Sequence, residues 1–475
     1  MTRGAALASA AAHFDSGDFT RVLASRIAWR SASQEADSGA QLRGYLEQSL
    51  RPTLQALGFE VQTFEHREEG GAALPPFLIA RRFEDAALPS TLPTVLMYGH
   101  GDVVRGQDAQ WREGLSPWTL VERDGRLYGR GSADNKGQHS INLAALQSVL
   151  RARGGKLGFN VIWLFETGEE VGSPGLASFC AAHRDALAAD VLIASDGPRL
   201  HAERPTVFLG SRGTANFSLS LKLREGAHHS GNWGGLLRNP GTVLAAAIAS
   251  LVDGHGRIQV PGLRPPPIPA AVRAALAGIE VGGGEGDPEV DADWGEPGLT
   301  PTERVFAWNT LEVLAYKTGN PDFPVNAIPD RALAHLQLRF VVGTEITRLR
   351  EHVLAHLRAG GFDAVEVSEP VTMAATRLDP EHPWVRFTLA SLERSSGVRP
   401  VLLPNIGGSL PNDVFADDLG LPTVWVPHSY PACSQHAPNE HLLAAVAREA
   451  LQLMAGLFWD IGDQASSLPR RGNGR

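Results

Sequence analysis

Three times in its first two hundred residues the chain runs a short apolar, β-branched or aromatic stretch straight into a histidine or an acid. TVLMYGHGD stops at His100 and Asp102, NVIWLFETGEE at Glu169 and Glu170, and DVLIASDGP at Asp196. Such runs read as strands buried on both faces. The helical patterns around them, SINLAALQSVLRAR and LASFCAAHRDAL, supply the covering layers of an α/β domain. Buried charge is costly unless something pairs with it. Ligands of open α/β sheets gather outside the carboxyl ends of strands, so these endings are candidates for one shared pocket.

Two further pieces fit the same design. YGRGSADNKGQ sets Asp134 in a glycine-flanked turn before a helix, and CSQHAPNEHL offers His436 in a loop before the last helix. Taken singly, each residue is also what a helix cap or a solvated loop would use. Taken together, they form a mixed imidazole and carboxylate set suited to zinc, manganese or cobalt. Cys180 and Cys433 are the only cysteines and fall outside the set, which excludes a structural thiolate zinc site. Two cysteines are also too few for a disulfide framework, which points to a reducing, cytoplasmic compartment.

The alternation changes near residue 205. TVFLGSRGTANFSLSLKL alternates apolar and polar residues as a strand with one wet face should, and the helix PGTVLAAAIASLVD follows. VPGLRPPPIP and IEVGGGEGDPEVDADWGEPG read as loops and a short peripheral excursion. RALAHLQLRFVV, EITRLREHVLAHLRAGG and DAVEVSE close a strand–helix–strand set, after which the α/β style returns. The expected organisation is an α/β domain in two parts, 1–206 and 375–475, interrupted by a smaller α+β domain at 207–374. A disordered tail is expected from about 463 to 475. A net charge of -9 argues against nucleic acid as a partner, and no apolar run is long enough for a membrane span. The Ala-rich start reads as a helix rather than a signal peptide.

In this order, GHGDVV, GRGSADNKG, ETGEEVGS, SDGP and HAPNEH resemble the metallopeptidase M20 family of dinuclear co-catalytic enzymes, which includes carboxypeptidases, aminoacylases, deacylases and dipeptidases. LGSRGTANFSLSL, HHSGNWGG and LVDGHGRIQVPG are most similar to its dipeptidase and carnosinase branch. The resemblance implies a mixed-sheet, zinc-peptidase-like catalytic domain carrying an inserted ferredoxin-like lid and dimerisation domain. It implies two divalent ions per subunit, zinc first and manganese or cobalt as alternatives. His100 and Asp196 would hold one ion, Glu170 and His436 the other, and Asp134 would bridge them. Glu169 would be the general base toward a metal-bridging water, and Asp102 would orient His100.

Two adjacent acids can divide these tasks because neighbouring side chains of an extended segment point different ways. His229 in AHHSGNWGG matches the family histidine that reaches into the partner's site, which implies a homodimer. Arg339 falls where the family engages a substrate carboxylate, a task suited to a guanidinium fork. Asn326 holds a polar position of the dipeptidase branch. Gly408 and Ser409 resemble its carboxylate-receiving glycine loop, although GGSLPNDVF departs from the branch's usual GGSIPV. The implied activity is hydrolysis of a dipeptide or short peptide with a free carboxylate. The alternative is an N-acyl-amino-acid deacylase. A non-catalytic relative would be expected to lose the base or a ligand, and this chain keeps all of them.

Overall fold

The computed structural model describes residues 2–67, 71, 73–85, 91–283 and 288–471. Its larger sheet contains β1 (Glu60–Arg67), β2 (Ala73–Arg82), β3 (Thr94–His100), β4 (Asn160–Glu166), β5 (Val191–Ala194) and β6 (Thr206–Phe208). The chain then leaves for a smaller sheet of β7 (Gly213–Lys222), β8 (Thr310–Thr318), β9 (Arg331–Phe340) and β10 (Glu366–Val367). It returns to the larger one with β11 (Val401–Leu403) and β12 (Thr423–Trp425).

The larger sheet has the order β1-β2-β4-β3-β5-β12-β6-β11 and is mixed. β3, β4, β5 and β12 run parallel to their neighbours within the centre of the sheet, whereas β2 is antiparallel to β4 and β12 is antiparallel to β6. Every residue of β3, β4 and β5 is buried, the signature of strands covered on both faces. Alternate side chains serve different layers. Val95, Met97, Val161 and Trp163 enter a core shared with the helices Lys136–Ala152 and Ala444–Asp463. Leu96, Tyr98, Ile162 and Leu164 enter a second core on the opposite face. Burying each large apolar side chain stabilises the fold by roughly 1.5–3 kcal/mol, so a one-residue slip would invert both faces at once.

The smaller sheet has the order β8-β9-β7-β10, all antiparallel. With the helices Pro240–Leu251 and Leu349–Ala359 it forms a β-α-β-β-α-β unit around its own core of Phe217, Leu219, Leu336 and Leu338.

Three readings are corrected. The stretch 206–223 is two strands rather than one: Thr206–Phe208 joins the larger sheet and Gly213–Lys222 the smaller. Between them the Thr376 backbone comes so close to Gly210 that a Cβ there would lie 2.1 Å from its carbonyl oxygen. Of the stretches 260–269 and 279–298, expected as loops and a short peripheral excursion, Ile268, Ile279 and Val281 instead pack against the second core of the larger domain. In the wider 264–307 excursion the helices Ala270–Leu276 and Pro301–Phe306 bury Val272, Leu276 and Phe306 there; residues 284–287 lie outside the described part. The tail is ordered as far as Arg471: Leu468 is buried, and Arg470 Nε lies 3.1 Å from Asp190 Oδ2. Residues 472–475 lie outside the described part. Among the described residues no helix is long and apolar enough to cross a membrane.

Candidate active site

The parallel run β4-β3-β5 delivers its three endings to one edge of the larger sheet. His100 is the last residue of β3, Glu169 and Glu170 open a 3₁₀ turn just beyond β4, and Asp196 follows β5 by two residues. Two more pieces reach this edge from outside the sheet. Asp134 lies two residues before the helix Lys136–Ala152 and is joined by a cis peptide to Asn135, the residue that precedes the helix. The loop of His436 is brought in by a three-stranded sheet in which His441–Leu443 pairs antiparallel with Arg126–Tyr128.

Asp134 is the centre of the arrangement. Its Oδ1 lies 3.0 Å from His100 Nε2 and its Oδ2 lies 2.9 Å from His436 Nε2, so each oxygen faces a different imidazole. His100 Nε2 also lies 3.7 Å from Asp196 Oδ2, and His436 Nε2 lies 3.1 Å from Glu170 Oε2. Asp102 sits behind. Its main-chain carbonyl oxygen is 3.1 Å from His100 Nδ1 and its Oδ1 is 3.4 Å away. The same carboxylate accepts N–H groups from Glu169 (3.3 Å) and Glu170 (3.1 Å). One buried acid therefore fixes both the imidazole and the backbone of the paired glutamates.

The electrostatics call for cations. Hydrogen bonds with Asp134 and Glu170 push the His436 imidazole up to about 11. Burial would lower His100, but Asp102 and Asp134 hold it well above the usual histidine range. Burial, reinforced by Asp134, pushes Asp196 and Glu170 up to about 7. Burial likewise raises Glu169 well above the usual carboxylate range, against the pull of His100. Asp134 goes the other way: hydrogen bonds from His100 and His436 outweigh its burial and keep it low. Four acids this close stabilise one another only through shared positive charge. Among the described residues Asp196 Oδ2 is buried with no hydrogen-bond partner, and ligand atoms of His100, Asp134 and Glu170 lie within 4.8 Å of one another. This donor set of imidazoles and carboxylates fits divalent zinc, manganese or cobalt.

Asp134, Glu169, Asp196 and His436 open onto a cleft of about 620 Å³ that also includes Arg339, Gly408 and Ser409. Arg339 Nη1 donates to Ser409 Oγ (2.8 Å), and Ser409 Oγ donates to the Arg212 carbonyl oxygen (2.7 Å). Arg212 Nε donates to the Gly407 carbonyl oxygen (2.8 Å). Two guanidiniums thus flank the glycine loop, and the repulsion of Arg339 adds to burial in lowering Arg212 to about 10. His229 and Asn326 do not join this cleft. They lie together on an exposed shoulder of the smaller domain, where Ser230 N–H donates to the Asn326 carbonyl oxygen (2.9 Å) and His229 pairs with Ala327.

Sequence reasoning passed over three residues. Gln435 donates to Asp134 Oδ2. Arg212 supports the glycine loop from within the SRG stretch. Glu440 is fully buried and accepts N–H groups from Gly131, Ala133 and Asp134 at 2.9–3.1 Å, together with Arg130 Nη1 at 2.8 Å. Its place inside HAPNEH was the available signal: a buried glutamate one motif away from a ligand loop needs partners.

Residues 96–460 match the family model described as peptidase family M20/M25/M40. The Beta-Ala-His dipeptidase of Mus musculus is 27% identical over 425 residues, which is 83% of this chain and 81% of that protein. The cysteinylglycine-S-conjugate dipeptidase of Corynebacterium striatum is 30% identical over 333 residues, 67% of this chain and 70% of that one. Among solved structures, the dipeptidase Dug1p of Saccharomyces cerevisiae superposes with a TM-score of 0.78 at 21% identity, covering 98% of this chain and 99% of its own. Human carnosine dipeptidase 1 gives 0.75 at 23%, covering 97% and 100%. With dipeptidases among its relatives and a cation-demanding cluster at its sheet edge, the chain belongs to peptidase family M20/M25/M40 and is a metallohydrolase of peptide bonds.

Proposed function

We propose that the chain is a dinuclear, metal-dependent dipeptidase that cleaves the peptide bond next to a residue with a free carboxylate. The observation that carries this reading is the division of Asp134 between two imidazoles, one on each oxygen. His100 with Asp196 would hold one cation and Glu170 with His436 the other, with Asp134 shared. Bound there, divalent ions supply Lewis acidity toward the scissile carbonyl and lower the pKa of an attacking water.

The remaining work falls to the chain itself. Glu169 lines the cleft beside the ligands, and its raised affinity for protons suits a group that takes the proton of the attacking water and passes it to the leaving amine. Arg339, with Ser409 and the main chain at Gly408, offers a fork and N–H groups to the substrate carboxylate. His229 accepts the Gly231 N–H at Nδ1 (3.1 Å), which leaves Nε2 as a donor able to stabilise an oxyanion. That donor, together with Asn326, would come from a second copy in a homodimer. The dimer reading is supported by the apolar side chains around this shoulder: Leu236, Phe323 and Val325 are each 76% exposed. The smaller domain then serves as lid and dimerisation domain. Two free, buried cysteines support the cytoplasm as its compartment.

The test is a panel of dipeptides set against N-acetyl and N-carbamoyl amino acids, run on enzyme loaded separately with zinc, manganese and cobalt. Dipeptide turnover with the bound metal counted at two per chain is expected. Turnover of acylated amino acids alone would convert the reading to a deacylase.

A further inference from the structure

The cleft has a third component that neither the acids nor the guanidiniums explain. Between them runs an apolar wall made by Leu200, Val281, Phe306, Leu403, Ile406 and Leu410. Its position is set by the glycines beside it. Ile406 Cδ1 lies 3.8 Å from where a Cβ on Gly197, next to Asp196, would sit, and 3.8 Å from the same point on Gly408. Val305 Cγ1 and Phe306 Cε1 lie 3.1 and 3.9 Å from that point on Gly407. The wall therefore spans the interval between Asp196 and the Gly408–Ser409–Arg339 corner. Arg199 borders it, but its guanidinium is turned to Glu449 (2.6 Å).

Two residues of this wall, Val281 and Phe306, come from the 264–307 excursion. Both ends of the excursion are pinned to the smaller domain through buried Asn309, whose Nδ2 donates to the Leu263 carbonyl oxygen (2.8 Å) and Thr344 Oγ1 (2.9 Å). The excursion is braced internally. Thr302 Oγ1 donates to the Ile279 carbonyl oxygen (2.6 Å), Arg273 pairs with Glu303 (3.0 Å), and a Thr300–Glu303 capping box starts the second helix. A braced segment that crosses from one domain to line the other's cleft shapes what the cleft holds.

We propose that the excursion completes an apolar recess for the side chain of the residue bearing the free carboxylate, so that the favoured substrates are dipeptides ending in a large aliphatic or aromatic residue. This rests on the dipeptidase reading above. With the scissile carbonyl at the acids and the carboxylate at Arg339, one Cα lies between the two ends. Its side chain meets the wall, while the N-terminal residue lies beyond the acids. Apolar pockets discriminate by roughly tenfold or more per methylene.

The experiment compares kcat/KM for Ala-Leu, Ala-Phe and Ala-Gly in metal-loaded enzyme, and in parallel measures calorimetric binding of free leucine and glycine to the Glu169→Gln variant. Expected is a preference of at least about tenfold for Ala-Leu over Ala-Gly, and for leucine over glycine. Phe306→Ala should bring both ratios several-fold closer to one. Val281→Asn, at a half-buried position, should do the same without opening the core. Equal values for leucine and glycine, or ratios that neither variant moves, overturn the proposal. If no dipeptide is cleaved yet leucine still binds preferentially in a Val281-dependent way, the recess stands and the dipeptidase reading falls. If dipeptides are cleaved with Ala-Gly as good as Ala-Leu, the reading stands and the recess falls.

Discussion

The sheet edge of the larger domain and the shoulder of the smaller one carry the same kinds of side chain to opposite effect. At the edge, His100, Asp134 and Asp196 are buried, and each is held by neighbours within the chain. On the shoulder, His229 and Asn326 are exposed and surrounded by apolar groups that no part of the chain covers among the described residues. The first region is held together by the fold itself, whereas on the proposed reading the second would be finished by a second copy of the chain. What separates them is the number of independent elements that converge: five at the edge, and one two-residue strand pairing at the shoulder.

Four measurements break or sharpen this contrast. Removing the metals with a chelator should abolish turnover, and zinc, manganese or cobalt should restore it. The melting temperature should fall as well, because ions bound only by the folded state stabilise it. An unchanged melting temperature would remove the edge from consideration as a metal centre. Glu169→Gln should lower kcat by about 10²–10⁴-fold with metal content unaltered by elemental analysis.

His229→Ala should cost about 10²–10³-fold in kcat, again with metal content intact. If the shoulder acts across a two-fold interface, mixing the His229→Ala and Glu169→Gln proteins should restore roughly a quarter of wild-type activity, since half the dimers are mixed and one of their two sites is whole. No recovery on mixing would confine His229 to its own subunit. Smallest is Glu440→Gln, which reaches the site only through main-chain amides, that of Asp134 among them, and weakens the acceptor that holds the Asp134 loop. Metal affinity should drop about 10–100-fold while kcat at saturating metal stays within a few-fold of the parent, as read by metal titration.

The edge was legible in the sequence because strands buried on both faces leave continuous apolar runs, and the residues that interrupt such runs stand out. The shoulder was legible only through the resemblance of HHSGNWGG, since an exposed histidine before a glycine turn carries no local signal. The two helices of the 264–307 excursion, beside stretches that read as loops, escaped notice for a physical reason. Helices of seven and six residues are too short to show periodicity, and their stability comes from a core built by strands far away in sequence. The break between the strands near Gly210 escaped notice for a related reason, since the backbone that leaves no room for a side chain there belongs to Thr376. Arg470 looked disordered because its partner, Asp190, lies 280 residues upstream.

Asp102 touches His100 through its main chain and carboxylate, and the amides of Glu169 and Glu170 through the same carboxylate. Three working parts of the site therefore take their position from a single reference point. A displacement of Asp102 would shift all three together rather than one against another. On the proposed reading, ligand and base would then share one anchor and keep their alignment whatever moves around them.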